Sequence, residues 1–315
     1  MKMLGHHAIT PRLDVTGTGF TVLDRVYADG VLSDEALGGS CANVLVSLAM
    51  LGYHVAPVLR LGADDIGARL VEEFVQAGAA VEFISRIDHV RSPILAEEID
   101  TATAKHEFNF RCPITNIDLP RYEPIGSAEL ADAAKVLGCC TVFYTDRLTQ
   151  EILDAMQCAA QSGAHVVFEP SALDDVELFA EALRVTTILK ISADRLSGTA
   201  ESWTNKGGTY FQIVTHGQKG LELRTQRDRL WCPAVLAPVL RDACGSGDMV
   251  TVGLIDGLLR RSVMAGPLTL TDIVEGVVAG QRLAAANCAF DGARGLFRKR
   301  GVVHARALLD DTKIL

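Results

Sequence analysis

Short apolar runs alternate with amphipathic segments along most of the 315-residue chain. Residues 14–23 (DVTGTGFTVL) predict a first strand. Residues 41–51 predict a helix, with apolar residues at 44, 45, 48, 49 and 51. HVAPVLRLG at 54–62 reads as a strand, and IGARLVEEFVQAG at 66–78 as a helix closed by Gly78. The alternation continues through a strand at 136–145, a helix at 148–163 and a strand at 164–170. Two more strands are predicted at 186–192 and 210–217, then two long helices over 247–261 and 270–287.

Alternation of this kind predicts an α/β fold with a doubly wound, mostly parallel sheet flanked by helices. Two regions break the pattern: 23–34 (LDRVYADGVLSD) and 91–111 (RSPILAEEIDTATAKHEFNFR). Both read as antiparallel strands with polar turns. They are expected to form a small β lid inserted in one domain spanning 1–315. Ligands of open α/β sheets bind beyond the carboxyl ends of the strands, where such a flap would close over them.

Composition narrows the function. A net charge of −9 argues against a nucleic-acid or anionic-membrane surface. The start, MKMLGHHAIT, has no apolar signal-like core, and no apolar run reaches the roughly 18 residues of a membrane span. A cytoplasmic protein is expected. The eight cysteines include no C-x-x-C pair, which disfavours a zinc cluster and suits free thiols.

Common catalytic motifs fail. GTGFTV at 17–22 has Val22 where a dinucleotide fingerprint needs its third glycine, which counts against a nicotinamide oxidoreductase. No G-x-x-x-x-G-K-[ST] loop occurs. CGSGD replaces the first glycine of a nucleophile elbow with Cys244, and HEFNF lacks the second histidine of a zincin. GSGD itself opens an apolar helix. There Gly245, Ser246 and Gly247 would present unpaired N–H groups to an anion, with Asp248 in the first turn as a carboxylate base. The same four residues could equally be a plain helix cap.

DACGSGD at 242–248 resembles the D-[TS]-x-G-[AS]-G-D signature of the PfkB/ribokinase family of carbohydrate kinases. Further elements follow in family order. GFTVLD (19–24) resembles the first-strand G-x-x-x-x-D, and GGSCANVLVSLAMLG (38–52) the N-terminal glycine signature. LGADDIG (61–67), VTHGQKG (214–220) and FDGARG (290–295) resemble three later glycine elements. Together these cover almost the whole chain. The resemblance implies a kinase that moves the γ-phosphate of ATP, with Mg2+, to a hydroxyl of a sugar or sugar-like alcohol.

It also implies roles. Asp248 matches the catalytic base, and Gly245, Ser246 and Gly247 the anion hole. Asp24, Gly38, Gly39, Asn43 and Asp146 match sugar-contacting positions. On residue type alone, Asn43 could be a helix cap and Asp24 a turn residue. Thr215, Gly217, Gly220 and Gly292 match the nucleotide site. Asp242 matches a position beside a monovalent-cation (K+) site. A homodimer through the lid is implied as well.

The chain also departs from the family. Ser192 and Arg195 stand where an N-x-x-E is usual, leaving Asp194 as a stand-in for the magnesium network. Ala243 follows Asp242 where a hydroxyl residue is usual, and FEPSALDD (168–175) lacks the arginine of a D-P-N-x-R segment, which disfavours a sugar-acid acceptor. A nucleoside kinase, or a non-catalytic sugar or nucleotide sensor on the same fold, are the competing readings.

Overall fold

The computed structural model describes residues 13–100, 105–194, 211–261 and 267–311. Strands β1 (Leu13–Thr18), β2 (Val22–Ala28) and β3 (Val31–Gly38) lead into α1 (Ser40–Met50). Strands β4 (Val55–Pro57) and β5 (Leu59–Gly62) precede α2 (Asp65–Ala77). Next come β6 (Ile84–Ile87), β7 (Ile94–Asp100), β8 (Lys105–Asn109), α3 (Ser127–Leu137) and β9 (Cys140–Thr145). The alternation resumes with α4 (Gln150–Gln161), β10 (His165–Phe168), α5 (Val176–Val185) and β11 (Ile188–Ser192). Strand β12 (Phe211–Thr215) enters a hairpin of β13 (Gly220–Arg224) and β14 (Arg229–Pro233). Helices α6 (Ser246–Arg261), α7 (Leu270–Asn287) and α8 (Gly295–Asp310) complete the described chain.

The central sheet runs β14-β13-β12-β11-β10-β9-β1-β4. It is parallel from β4 to β12 and antiparallel only in the last two pairings. From β4 to β12 its strands are mostly buried, as a sheet covered on both sides requires, whereas the edge strand β14 is largely exposed. Along β9, Val142 and Tyr144 join the core cluster that includes α1, α6 and α7, while Phe143 joins the one that includes α3, α4 and α5. Because the strands are parallel, their carboxyl ends at Thr18, Thr145, Phe168, Ser192 and Thr215 share one edge.

The helices are bounded by local chemistry. Asp64 caps α2 by accepting from Gly67 N at 2.8 Å, and Gly78 closes it in a left-handed conformation. Thr149 caps α4 through Ile152 N, and Thr269 with Asp272 forms a capping box at α7. Helices α6 and α7 approach so closely that a Cβ on Gly253 would strike the backbone of Gly280.

Several expectations need correction. The predicted strand 14–23 is two strands in two sheets, broken at Gly19 (φ 146). The predicted strand 54–62 divides likewise, β4 joining the central sheet and β5 pairing with β6. The start of 136–145 is the end of α3, since the strand begins only at Cys140. Helices α3, α5 and α8 had no sequence prediction. The lid sheet runs β3-β2-β7-β8 over Val22–Gly38 and Ile94–Asn109, but its central pair β2–β7 is parallel, not antiparallel. Of the residues discussed above, 1–10, 101–104 in the predicted lid segment 91–111, Arg195, and Tyr210 in the predicted strand 210–217 lie outside the described residues.

None of the eight cysteines is in a disulfide. Among the described residues no helix is long and apolar enough to cross a membrane.

Candidate active site

The first turn of α6 meets the carboxyl edge of the sheet. Gly245 adopts φ 71, a left-handed conformation, and a Cβ there would sit 2.5 Å from Ala293 Cα. Glycine is needed on both counts. Its carbonyl accepts the helical bond from Met249 N at 2.9 Å. Gly247 and Asp248 therefore carry first-turn N–H groups with no intrahelical acceptor, at the positive end of the helix dipole.

Asp248 is buried, and its Oδ2 accepts a 2.8 Å hydrogen bond from Asn43 Nδ2 on α1. Burial and the neighbouring Glu169 push its carboxyl up to about 7, while the Asn43 hydrogen bond and Lys190 pull the other way. A carboxyl poised there can take up a proton near neutral pH.

Asp24 on β2 lies against the bare Cα of Gly38 on β3, where any side chain would collide with its carboxyl. Burial, then Glu97, raise Asp24 to about 8, and the Asp248 charge adds to the rise. Gly39, at φ 88, turns the chain from β3 into α1. The Oδ1 atoms of Asp24 and Asn43 are both buried acceptors without a protein donor. Two orphaned acceptors beside Asp248 suit a ligand rich in hydroxyl donors.

Asp146 sits at the same edge, but its oxygens are engaged by the protein. Oδ1 accepts from Phe20 N at 2.8 Å and Oδ2 from Arg147 Nη1 at 3.0 Å. Burial raises it to about 6 against the pull of Arg147. It fixes the β1–β2 turn, and Arg147 in turn stacks 4.4 Å from the Phe20 ring centroid.

Asp242 is a clasp. Its Oδ1 accepts from Cys244 N at 2.7 Å and its Oδ2 from Gly292 N at 2.6 Å, tying the α6 approach to the glycine turn before α8. With each oxygen engaged by an N–H donor, this carboxylate joins the two loops structurally. Among the described residues no group of three or more His, Cys, Asp or Glu side chains could hold a metal ion. Asp194 is exposed in the turn after β11, two residues beyond Ser192. Thr215 ends β12, and Gly217 (φ 55) and Gly220 (φ 122) shape the β12–β13 turn. Ser192 and Thr215 are register partners, so this turn and Asp194 leave the sheet side by side.

A family model described as pfkB family carbohydrate kinase matches residues 34–296. The chain belongs to this family. Family members are phosphotransferases, and the fold is ribokinase-like. A sugar kinase of Pyrococcus horikoshii superposes with a TM-score of 0.72 at 17% identity, covering 94% of this chain and 99% of that one. Aminoimidazole riboside kinase of Salmonella enterica superposes at 0.71 with 20% identity, covering 94% and 100%. In sequence, a bifunctional protein HldE of Alkalilimnicola ehrlichii is 22% identical over 264 residues, 78% of this chain and 53% of that protein. The chain thus spans about half the length of this relative and of a second HldE from Pelobacter propionicus.

In this pfkB-family chain the structure brings Asp24, Gly38, Asn43 and Asp248 together, and separately Asp242, Cys244 and Gly292. Sequence reasoning missed a third group directly beneath Asp248. Lys190 on β11 is buried, pairs with Glu169 after β10, and lies where a Cβ on Gly247 would be 3.6 Å from its Nζ. Glu169 Oε2 also accepts from Thr251 Oγ1 at 2.7 Å and from the Tyr144 hydroxyl at 3.3 Å. The available signal was a lysine inside an otherwise apolar buried strand, TTILKIS, a local violation that marks either a site or a strain.

Proposed function

We propose that the chain is an ATP-dependent kinase that phosphorylates a hydroxyl of a neutral sugar or sugar-like polyol, with Asp248 as the base. The observation that carries this is the buried Asp248 carboxyl beside unpaired first-turn N–H groups and two orphaned acceptors. Asp248 takes the proton from the attacking hydroxyl at Oδ1 or Oδ2, and Asn43 orients it. The first-turn N–H groups of Gly247 and Asp248 stabilise the charge on the moving phosphoryl group, while Ser246 N donates to the Ala243 carbonyl at 3.2 Å. Asp24 and Asn43 bind acceptor hydroxyls, and Gly38 and Gly39 leave room for the ring.

ATP·Mg2+ supplies the phosphoryl group and the neutralising metal charge. The turn carrying Thr215, Gly217 and Gly220, together with Gly292, seats the nucleotide. Asp194 is the candidate outer contact of the metal's water shell. Solved neighbours support the pairing of substrates: an Arabidopsis thaliana ribokinase is complexed with ribose and ATP, and the Salmonella kinase with aminoimidazole riboside and an ATP analogue. The absence of the arginine of a D-P-N-x-R segment from FEPSALDD (168–175) argues against a sugar-acid acceptor. The lid, inserted in one domain, covers the acceptor and pairs with a second copy of the chain.

The test is ADP release from ATP·Mg2+ over a panel of pentoses, hexoses, nucleosides, sugar acids and sugar phosphates. Turnover on a neutral polyol, lost in Asp248→Asn, is expected. Wild-type turnover by Asp248→Asn would remove Asp248 as the base.

A further inference from the structure

One buried ion pair of this protein lies directly under the candidate site. Lys190 lies in the middle of the central sheet with its side chain 2% exposed, where an ammonium is costly to desolvate. Nothing about the sheet requires it. Its partner Glu169 follows β10, and the pair sits under the first turn of α6. A Cβ on Gly247 would lie 3.6 Å from Lys190 Nζ and 4.0 Å from Glu169 Oε1. Glu169 reaches α6 through Thr251 Oγ1 and reaches β9 through the Tyr144 hydroxyl. Thr251 Oγ1 also lies 3.2 Å from the Gly247 carbonyl oxygen. One carboxylate thus links two strands to the helix turn that carries Asp248.

We propose that Glu169 and Lys190 form a positioning pair for the reaction, locking the α6 first turn to the sheet and placing one positive and one negative charge under Asp248. This rests on Asp248 being the base. Lys190 adds positive potential where unpaired N–H groups already face an anion, and Glu169 keeps that ammonium fixed instead of free to bind the anion outright. The two charges act on Asp248 in opposite senses: Glu169 opposes its ionisation and Lys190 favours it. Other groups also face Asp248. Asn43 and Cys41 come from α1, Asp24 from β2, Tyr144 and Asp146 from β9 and its end, and Cys244 from the loop before α6. Removing either member of the pair leaves this surrounding set unchanged, so the sign of the response identifies the pair.

The experiment reads Asp248 directly, without turnover. The full chain is labelled with 13Cγ-aspartate, and the Asp248 signal is assigned by its loss in Asp248→Asn. Its titration midpoint is followed in Lys190→Met and Glu169→Gln, with kcat and KM measured in parallel. The expected result is an upward shift in Lys190→Met and a downward shift in Glu169→Gln. A fall in kcat on the order of 100-fold in Lys190→Met, with the acceptor KM little changed, is expected alongside.

Because breaking a buried pair one-sidedly can unfold a chain, the double variant Lys190→Met/Glu169→Gln is made as well, since a neutral exchange is tolerated better. It should fold, return the Asp248 midpoint toward wild type and remain slow. Midpoints that stay put, or that move the same way in both single variants, overturn the proposal, as does a double variant with wild-type kcat. Opposed shifts in a chain that turns over no acceptor would establish the coupling to Asp248 but refute the kinase reading, and with it the pair's part in a reaction.

Discussion

Asp248 and Asp24 both carry a carboxyl held above its ordinary range by burial, and the consequences have a definite sign. For Asp248 the folded protein holds its proton up to about 7, whereas the unfolded chain releases it near 3.8. Ionising it costs stability progressively between those values, and the full cost is present above about 7. Asp248→Asn should therefore gain Tm relative to wild type as pH rises through that window, with a plateau beyond it, measured by thermal melts across pH. In the active protein kcat/KM should rise with pH along a limb centred near 7. Asp24, raised to about 8, is mainly protonated at neutral pH in the free protein. Hydroxyls donated by an acceptor favour its ionised form, so acceptor binding should release a proton. Calorimetry in two buffers of different ionisation enthalpy should detect the release, and Asp24→Asn should abolish it.

At the scale of elements, the site depends on how α6 is seated. Gly253 and Gly280 let α6 and α7 meet backbone to backbone. Gly253→Val inserts atoms where none fit and should cost about 1–3 kcal/mol by denaturant titration. The cost falls on the helix that presents Asp248, so kcat should drop as well. The Asp242 clasp joins the α6 approach to the Gly292 turn. Asp242→Ala should loosen both loops and raise the KM for ATP more than that for the acceptor. Gly253 and Asp242 could be read in the sequence as a helix position and a motif residue. Their pairing with Gly280 and Gly292 could not, because the partners are distant in the chain and meet only through packing.

For the whole molecule, the lid sheet leaves Val31, Leu32 and Phe108 exposed along its two edge strands, β3 and β8. A lid-to-lid homodimer would cover them. Light scattering should report a dimer that Phe108→Asp converts to monomer. A wild-type monomer at all concentrations would remove the dimer reading and leave these residues to line the closing lid.

The sequence by itself determined the α/β alternation, because covered parallel strands and amphipathic helices each impress their own period on the chain. It also marked Asp248 and the 245–247 loop, because a helix start with its glycines and carboxylate is a local feature. The breaks at Gly19 and Val58, the parallel β2–β7 pairing, and helices α3, α5 and α8 were not legible. Strand partners and sheet membership depend on contacts far apart in sequence, and α8 has a largely polar, exposed surface broken at Gly301 (φ 77). Only the tertiary structure decided which charges share a site. Asp146 and Asp242 look like ligand residues in the chain, yet in the fold their oxygens are engaged by backbone and guanidinium donors. Lys190 stands out in its apolar strand, but nothing in the chain ties it to Glu169 or Asp248; packing places the pair under Asp248, where burial strengthens every charge they exert.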